Sequence, residues 1–412
     1  MHRMLDSAGS TLPYRLRRLE PTVQSSAQLA SPASMKDSKS LLFTPLEIRG
    51  IRLRNRVVVS PMAQYSALDG FATDWHFAHF AKFAMGGAGL VFTEATKVER
   101  RGLGTVGDMG IWKDEHIAPL RRISTFLREQ GATSAIQLNH AGRKAGTYKP
   151  WDGFGPLDRS VPVEGEDHWP VIGPSAVEYL EGWPLPREMT KADIREVQDN
   201  WVKAAHRAVE AGFDILEVHG AHGYLIHEFL SPASNKRTDE YGGSLQNRMR
   251  FALEITEAVR RVWPQDKPIF FRVSAVDEGG WTLDDTVVLA RELKALGVDV
   301  IDCSASGIAI RSPTASRVPP RLGFQVPYAE RVRKDADIMT MAVGLIVHPK
   351  QAEEILQRGQ ADLVAVGREI LYDPFWPAHA ARALGEDAEF KSLPVQYGWW
   401  LDRRKKTGYV EE

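Results

Sequence analysis

Residues 338–368 read IMTMAVGLIVHPKQAEEILQRGQADLVAVGR. Two short apolar runs, 338–344 and 361–368, flank a helical stretch, 349–358, with Pro349 near the first helical position. Strand, helix and strand within roughly 30 residues predict a parallel βαβ unit. Both runs are apolar throughout rather than alternating, as expected of strands buried on both faces. Each ends in or near a glycine, Gly344 and Gly367, and Arg368 follows the second.

The same alternation extends upstream. Further strand candidates are 56–60 (RVVVS), 89–95 (GLVFTEA), 133–139 (TSAIQLN), 215–220 (ILEVHG), 268–275 (PIFFRVSA) and 298–306 (VDVIDCSAS). Helical stretches at 116–130, 190–211, 247–262 and 284–295 lie between them. Thr190 suits an N-cap, and Gly212 a C-terminal stop. An unbroken series of β-α units predicts an α/β protein with a single (β/α)8 TIM barrel. One connection, from Asn139 to Thr190, is far longer than the rest and contains Trp151, Trp169 and Trp183. A long loop after strand 3 sits at the C-terminal mouth, where barrel enzymes keep their sites. It reads either as a surface excursion or as a partial cap.

Composition narrows the function. The chain has 412 residues, 52 Lys+Arg and 53 Asp+Glu, for a net charge of -1. No basic stripe points to nucleic acid, and no apolar run approaches a membrane span. The 1 cysteine, Cys303, allows neither an internal disulfide nor an iron–sulfur cluster. Cys303 reads as a small buried apolar residue. Residues 1–36 depart from the pattern, being rich in Ser, Arg and Ala and poor in acids. They read as a disordered tail, a transit-like segment or translation from too early a start, with Met35 a plausible beginning. Without a secretory apolar core the expected location is cytoplasmic, organelle targeting being left open. The barrel is expected over 37–412.

Polar residues gather where the strands end. Strand 1 runs into Ser60, Pro61, Met62, Ala63, Gln64 and Tyr65; strand 2 into Glu94 and Ala95; strand 3 into Gln137, His140, Arg143 and Lys144. Strand 4 ends at His219 with His222 and Tyr224 beyond, and strand 5 carries Arg272. Each alone is as easily a loop hydrogen bond; barrel closure brings them to one mouth. The loops after strands 7 and 8 form the usual phosphate cradle of barrels. There Gly344 and Gly367 admit close backbone approach, and Arg368 can pair with phosphate bidentately. His219 and His222 do not make a metal site, since the H-E-x-x-H order is absent and no carboxylate lies at ligand spacing. As neutral imidazoles they can donate to a carbonyl oxygen gaining negative charge, and Tyr224 can act as a general acid.

These residues resemble the Old Yellow Enzyme family of flavin-dependent ene-reductases, in its thermophilic-like, xenobiotic reductase branch. The matching stretches are NRVVVSPMAQYSALDG (55–70), GGAGLVFTEAT (86–96), QLNHAGRKA (137–145), FFRVSA (270–275) and ADLVAVGREILYDPFWP (361–377). The most specific is HGAHGYLIHEFLSPASNKRTDEYGGSLQNRMRF (219–251). The resemblance implies a (β/α)8 barrel with non-covalent FMN, reduced by NADPH or NADH in the same pocket. It implies that Ser60, Pro61, Met62, Ala63 and Ala95 line the flavin and that Gln137 meets its pyrimidine part. Arg272 would lie near N1 and C2=O, Lys144 near the ring and ribityl chain, and Gly344, Gly367 and Arg368 at the phosphate. His219 and His222 would bind the carbonyl or nitro oxygen of an α,β-unsaturated substrate. Hydride from FMN N5 would go to Cβ, and Tyr224 would protonate Cα, with Tyr65 shaping the pocket. The branch usually has Cys where this chain has Ala63, which puts the flavin potential in question. Its C-terminal tails often reach a neighbouring subunit, so Trp399, Trp400 and Arg403 become candidates for a shared pocket in a dimer or tetramer. Two other readings stay open at this point: a non-redox phosphate-binding barrel isomerase or lyase, with Lys144 its modest candidate, and a flavin-binding protein without turnover.

Overall fold

The computed structural model describes residues 40–153, 155–158, 160, 168–308 and 321–407, except the side chain of Lys405. The expected tail, 1–36, lies outside the described residues. Eight parallel strands close into a barrel: β1 (Val57–Val59), β2 (Leu90–Lys97), β3 (Thr133–Asn139), β4 (Ile215–Gly220), β5 (Ile269–Ser274), β6 (Val300–Ser304), β7 (Met339–Ala342) and β8 (Leu363–Val366). Each pairs with the next in sequence, and β8 pairs with β1 through Val364 to Val57 and Val366 to Val59. Helices α1 (Asp74–Met85), α2 (Ile117–Glu129), α3 (Lys191–Glu210), α4 (Leu245–Val262), α5 (Leu283–Ala295), α6 (Val326–Ala336), α7 (Pro349–Gln357) and α8 (Trp376–Ala383) surround it. A further helix, α9 (Val395–Lys406), follows.

Local chemistry explains where the helices begin. The Asp193 backbone N–H donates to the Thr190 hydroxyl at 3.2 Å, and the Asp193 carboxylate accepts from the Thr190 N–H at 2.8 Å. This reciprocal box starts α3, and Thr282 with Asp285 repeats it at α5. Gly212, at φ +81°, stops α3.

Period-two alternation along each strand makes two cores. Outward residues such as Leu216, Val218 and Phe271 pack with Trp201 and Phe251 of the helix layer. Inward residues at the strand starts, among them Val58, Leu90, Phe92, Ala135, Ile215, Phe270 and Val300, fill the barrel floor. A hairpin of Leu46–Ile48 with Ile51–Leu53 adds Ile48 and Leu53 to that floor. Each buried Val, Leu, Ile or Phe here contributes about 1.5–3 kcal/mol, so this end is a sealed plug. Chemistry is left to the other end.

The expected barrel is the observed one, and 133–139 and 215–220 keep both boundaries. The run 361–368 shortens to Leu363–Val366 because Gly367 caps the short helix Arg368–Tyr372. β2 runs longer than expected, and a bulge between Phe92 and Ala95 re-aims its end. Helices α1, α6, α8 and α9 add to the five expected ones. In the long loop after β3, Trp169 and Val171 are buried with Leu103, Ala141 and Ala145, and Tyr224 packs against this cluster. The described part of the loop therefore backs the mouth, as a partial cap does.

Candidate active site

β4 delivers the centre of the mouth. Its inward face carries Glu217 and then His219, and the chain turns at once through His222 and Tyr224. His222 sits at φ +60°, a strained conformation for a residue with a side chain, and Gly223 follows at φ +71°. The turn is held on several sides. The His222 N–H donates to Ser274 Oγ at 2.9 Å, and that hydroxyl donates to the Ser306 carbonyl at 2.8 Å. His222 Nε2 lies 2.7 Å from Ser304 Oγ, and Nδ1 lies 3.4 Å from His219 Nε2. Lys144 Nζ donates to the carbonyls of His222 and Gly307, both at 2.6 Å. A side chain at Gly223 would collide with the Gly307 carbonyl, so only glycine fits there.

Three rings meet edge to face. The His219 centroid is 5.1 Å from that of His222 and 5.2 Å from that of Tyr224. Burial, then the neighbouring His222 and Arg272, holds His219 well below the ordinary imidazole value. Burial, then Arg272 and Lys144, does the same to His222. Both rings are neutral at pH 7. Burial raises the Tyr224 and Tyr65 phenols, which therefore stay protonated. Burial, then Arg143, lowers the Lys144 ammonium to about 7.

Tyr65 approaches from the loop after β1, at φ +51°, with its ring edge-on to Trp151 at 5.5 Å. The bulge in β2 turns Glu94 towards this loop, where it accepts from the Gln64 N–H and, at 3.2 Å, from the Met109 N–H. That carboxylate fixes the path of Met62, Ala63 and Gln64. The Ser60 N–H donates to Val366 at 3.1 Å, joining this loop to the end of β8.

The residues present fit FMN. The Arg272 guanidinium is buried, its Nε ion-paired with Asp302 at 3.0 Å, which leaves its other N–H groups to meet a heteroaromatic edge. Gln137 is buried on the inward face of β3, Ser60 is buried beyond β1, and Ala95 on β2 is half-buried. Where β7 and β8 end side by side, Gly344 takes φ +112°, and the space where Gly367 would carry a side chain meets only Met62 Sδ, at 3.9 Å. Arg368 is exposed there and makes no ion pair among the described residues. Donors for a heteroaromatic edge at one side, and the open space at Gly367 with the exposed Arg368 at the other, suit a flavin ring and its phosphate.

Other expected residues go elsewhere. Trp399 and Trp400 lie on α9, 47% and 65% exposed, with the Arg403 guanidinium 3.1 Å from the Trp399 ring centre. The structure does not bring these three to the mouth of their own barrel. His140 binds Glu99 at 2.7 Å, and Arg143 donates to the carbonyls of Val177, Glu178 and Ile308, so both serve the scaffold. Lys144 is turned to backbone carbonyls as described. Cys303 is fully buried on the outward face of β6. Three residues not singled out from sequence join the site: Glu217, Asp302 and Ser304. Strand alternation was the available signal, since Glu217 shares a face with His219, and Asp302 with Ser304.

Comparison with known proteins agrees with this fold. The chain is 47% identical over 367 residues to the NADPH dehydrogenase of Geobacillus sp. (strain WCH70), covering 88% of this chain and 99% of that protein. Among solved structures it is similar to morphinone reductase, with a TM-score of 0.69 and 27% identity over 84% of this chain and 90% of that one. It is also similar to a 2-naphthoyl-CoA reductase complex, with a TM-score of 0.74 and 26% identity, over 83% of this chain and 52% of that one. The model of the NADH:flavin oxidoreductase / NADH oxidase family matches residues 41–387. The chain therefore belongs to that family of FMN-dependent oxidoreductases, as its Old Yellow Enzyme-like sequence implied.

Proposed function

We propose that this enzyme reduces the C=C bond of α,β-unsaturated carbonyl or nitro compounds, with NADPH or NADH as reductant. The observation that carries the reading is the His219, His222 and Tyr224 cluster: two neutral imidazoles and a protonated phenol on one turn. FMN, when bound, supplies hydride transfer between nicotinamide and substrate. Ser60, Pro61, Met62, Ala63, Ala95, Gln137 and Arg272 would hold its ring, and Gly344, Gly367 and Arg368 its phosphate. His219 and His222 donate hydrogen bonds to the substrate oxygen, drawing electron density from Cβ. Tyr224 gives its phenolic proton to Cα, which conserves charge as the substrate oxygen reverts to a carbonyl. Tyr65 bounds the substrate on the β1 side, and Lys144 positions His222. The relative's name, NADPH dehydrogenase, supports NADPH over NADH. The exposed Tyr397, Trp399 and Trp400 support a homo-oligomer in which Trp399, Trp400 and Arg403 complete a neighbour's pocket.

The visible spectrum tests the reading. Purified protein shows a flavin band, and p-hydroxybenzaldehyde adds a long-wavelength charge-transfer band. Cyclohexenone then makes NADPH consumption substrate-dependent. Flavin without either response overturns the ene-reductase reading.

A further inference from the structure

The barrel interior changes character within one layer of side chains. On β3 to β6 the inward residues Ala135, Ile215, Phe270 and Val300 belong to the apolar floor. Two positions further along each strand the same face carries Gln137, Glu217, Arg272 and Asp302, all buried. Register sets Gln137 level with Glu217, and Arg272 level with Asp302. Gln137 Nε2 lies 2.6 Å from Glu217 Oε2, and Arg272 Nε lies 3.0 Å from Asp302 Oδ2. The other Glu217 oxygen has no hydrogen-bond partner in the described structure. Two carboxyls and one guanidinium on an apolar floor are costly to bury, and the proposed function uses only the guanidinium.

Gln137 and Glu217 make a pair whose hydrogen-bond direction is reversible. A carboxylate can only accept, so it takes one N–H of the Gln137 amide and leaves the amide oxygen and the second N–H for other partners. A carboxylic acid can instead donate its O–H to that oxygen, which turns the amide so that its oxygen is spent on Glu217 and only N–H donors are left for the ring. The pyrimidine edge of a flavin carries carbonyl acceptors and an N–H donor, so the two orientations bind it differently. The charged groups facing Glu217 are Asp302 from β6 and Arg272 from β5, and Gln137 on β3 is uncharged. Burial, then the Asp302 charge, raises Glu217, with Arg272 opposing. The acid form is therefore within reach at neutral pH.

Resting on the reading that Gln137 meets FMN, we propose that Glu217 is a positioning residue whose protonation decides which end of the Gln137 amide faces the cofactor. FMN affinity then depends on pH through Glu217. The test is the dissociation constant of oxidised FMN, followed by flavin fluorescence on dilution of the holoprotein between about pH 7 and about pH 9. In wild type it changes by about threefold to tenfold, the worth of one hydrogen bond. Glu217→Gln removes the change, whereas Asp302→Asn keeps it and moves its midpoint to lower pH. A flat wild-type profile, or an unaltered profile in Glu217→Gln, overturns the proposal. Gln137→Ala separates the two levels. If it leaves FMN affinity unchanged, the placement of Gln137 against FMN is wrong, and the proposal falls with it. If it weakens binding while Glu217→Gln keeps the wild-type profile, only the proposal falls. Should Glu217→Gln not fold, infrared spectra decide. Wild type and Asp302→Asn both show a protonated-carboxyl stretch that fades with the affinity change, and absence of that band in Asp302→Asn overturns the proposal.

Discussion

The Lys144 ammonium donates to the carbonyl oxygen of His222 at 2.6 Å, across 78 residues of sequence. Its second hydrogen bond, to Gly307, ties the loops after β3, β4 and β6 together. The strained His222 backbone is thus held from its carbonyl side by Lys144 and from its N–H side by Ser274. Lys144→Met keeps the stem and removes the donor. The dissociation constant of p-hydroxybenzaldehyde should rise about threefold to tenfold, the worth of one net hydrogen bond. Titration of the charge-transfer band measures it, and an unchanged constant would show that His222 is positioned without Lys144.

In the proposed function His219 and His222 bind the substrate oxygen, and the cofactor is left to other residues. The double change His219→Ala plus His222→Ala should keep the yellow colour and lose most phenol binding and enone turnover. Loss of the flavin band in the purified double variant would instead place these rings against FMN.

Tyr224 is buried, with its phenol held protonated. Tyr224→Phe should slow the enone-dependent oxidation of reduced enzyme by about a hundredfold or more, the usual worth of a general acid. Reduction by NADPH should change little, because no proton from Tyr224 is needed there. Stopped-flow measurement of the two half-reactions separates them, and equal slowing of both contradicts the acid role.

Glu99 accepts hydrogen bonds from His140 at 2.7 Å, from Asn200 at 2.6 Å and from Arg101, bridging the end of β2 to α3. Burial alone would raise its carboxyl, but His140 and Arg101 outweigh that and hold it at about 2. A carboxyl lowered on folding stabilises fully above its unfolded value of about 4.3, and that stabilisation is lost as pH falls towards about 2. The amount at stake is about 3 kcal/mol. Glu99→Gln should flatten the acid limb of stability below about pH 5, read from denaturant midpoints. An acid limb identical to wild type would remove Glu99 from the account.

α9 presents Trp399 and Trp400 to solvent in the single chain. Truncation after Pro394 should lower the oligomeric state seen by light scattering and weaken substrate binding. If both survive, the shared pocket does not exist.

Much of this protein is written locally. Apolar runs buried on both faces, alternating with capped helices, specify a parallel barrel, because each β-α unit is decided within about 30 residues. Barrel closure then places strand ends together, so His219, His222, Tyr224, Arg272 and the glycines of β7 and β8 were legible as one mouth. What the sequence could not settle is which polar groups spend themselves on the scaffold. His140 and Arg143 look as chemical as Gln137, yet they hold loops, and Lys144 reaches backbone carbonyls. Glu217 and Asp302 lay hidden in strands that read as apolar. The reason is register: Gln137 and Glu217 are 80 residues apart and meet only because β3 and β4 pair at one particular offset. A one-residue slip would turn either side chain out of the barrel. The identity of the chemistry was local, whereas the partner of each charged group was decided only when the strands closed.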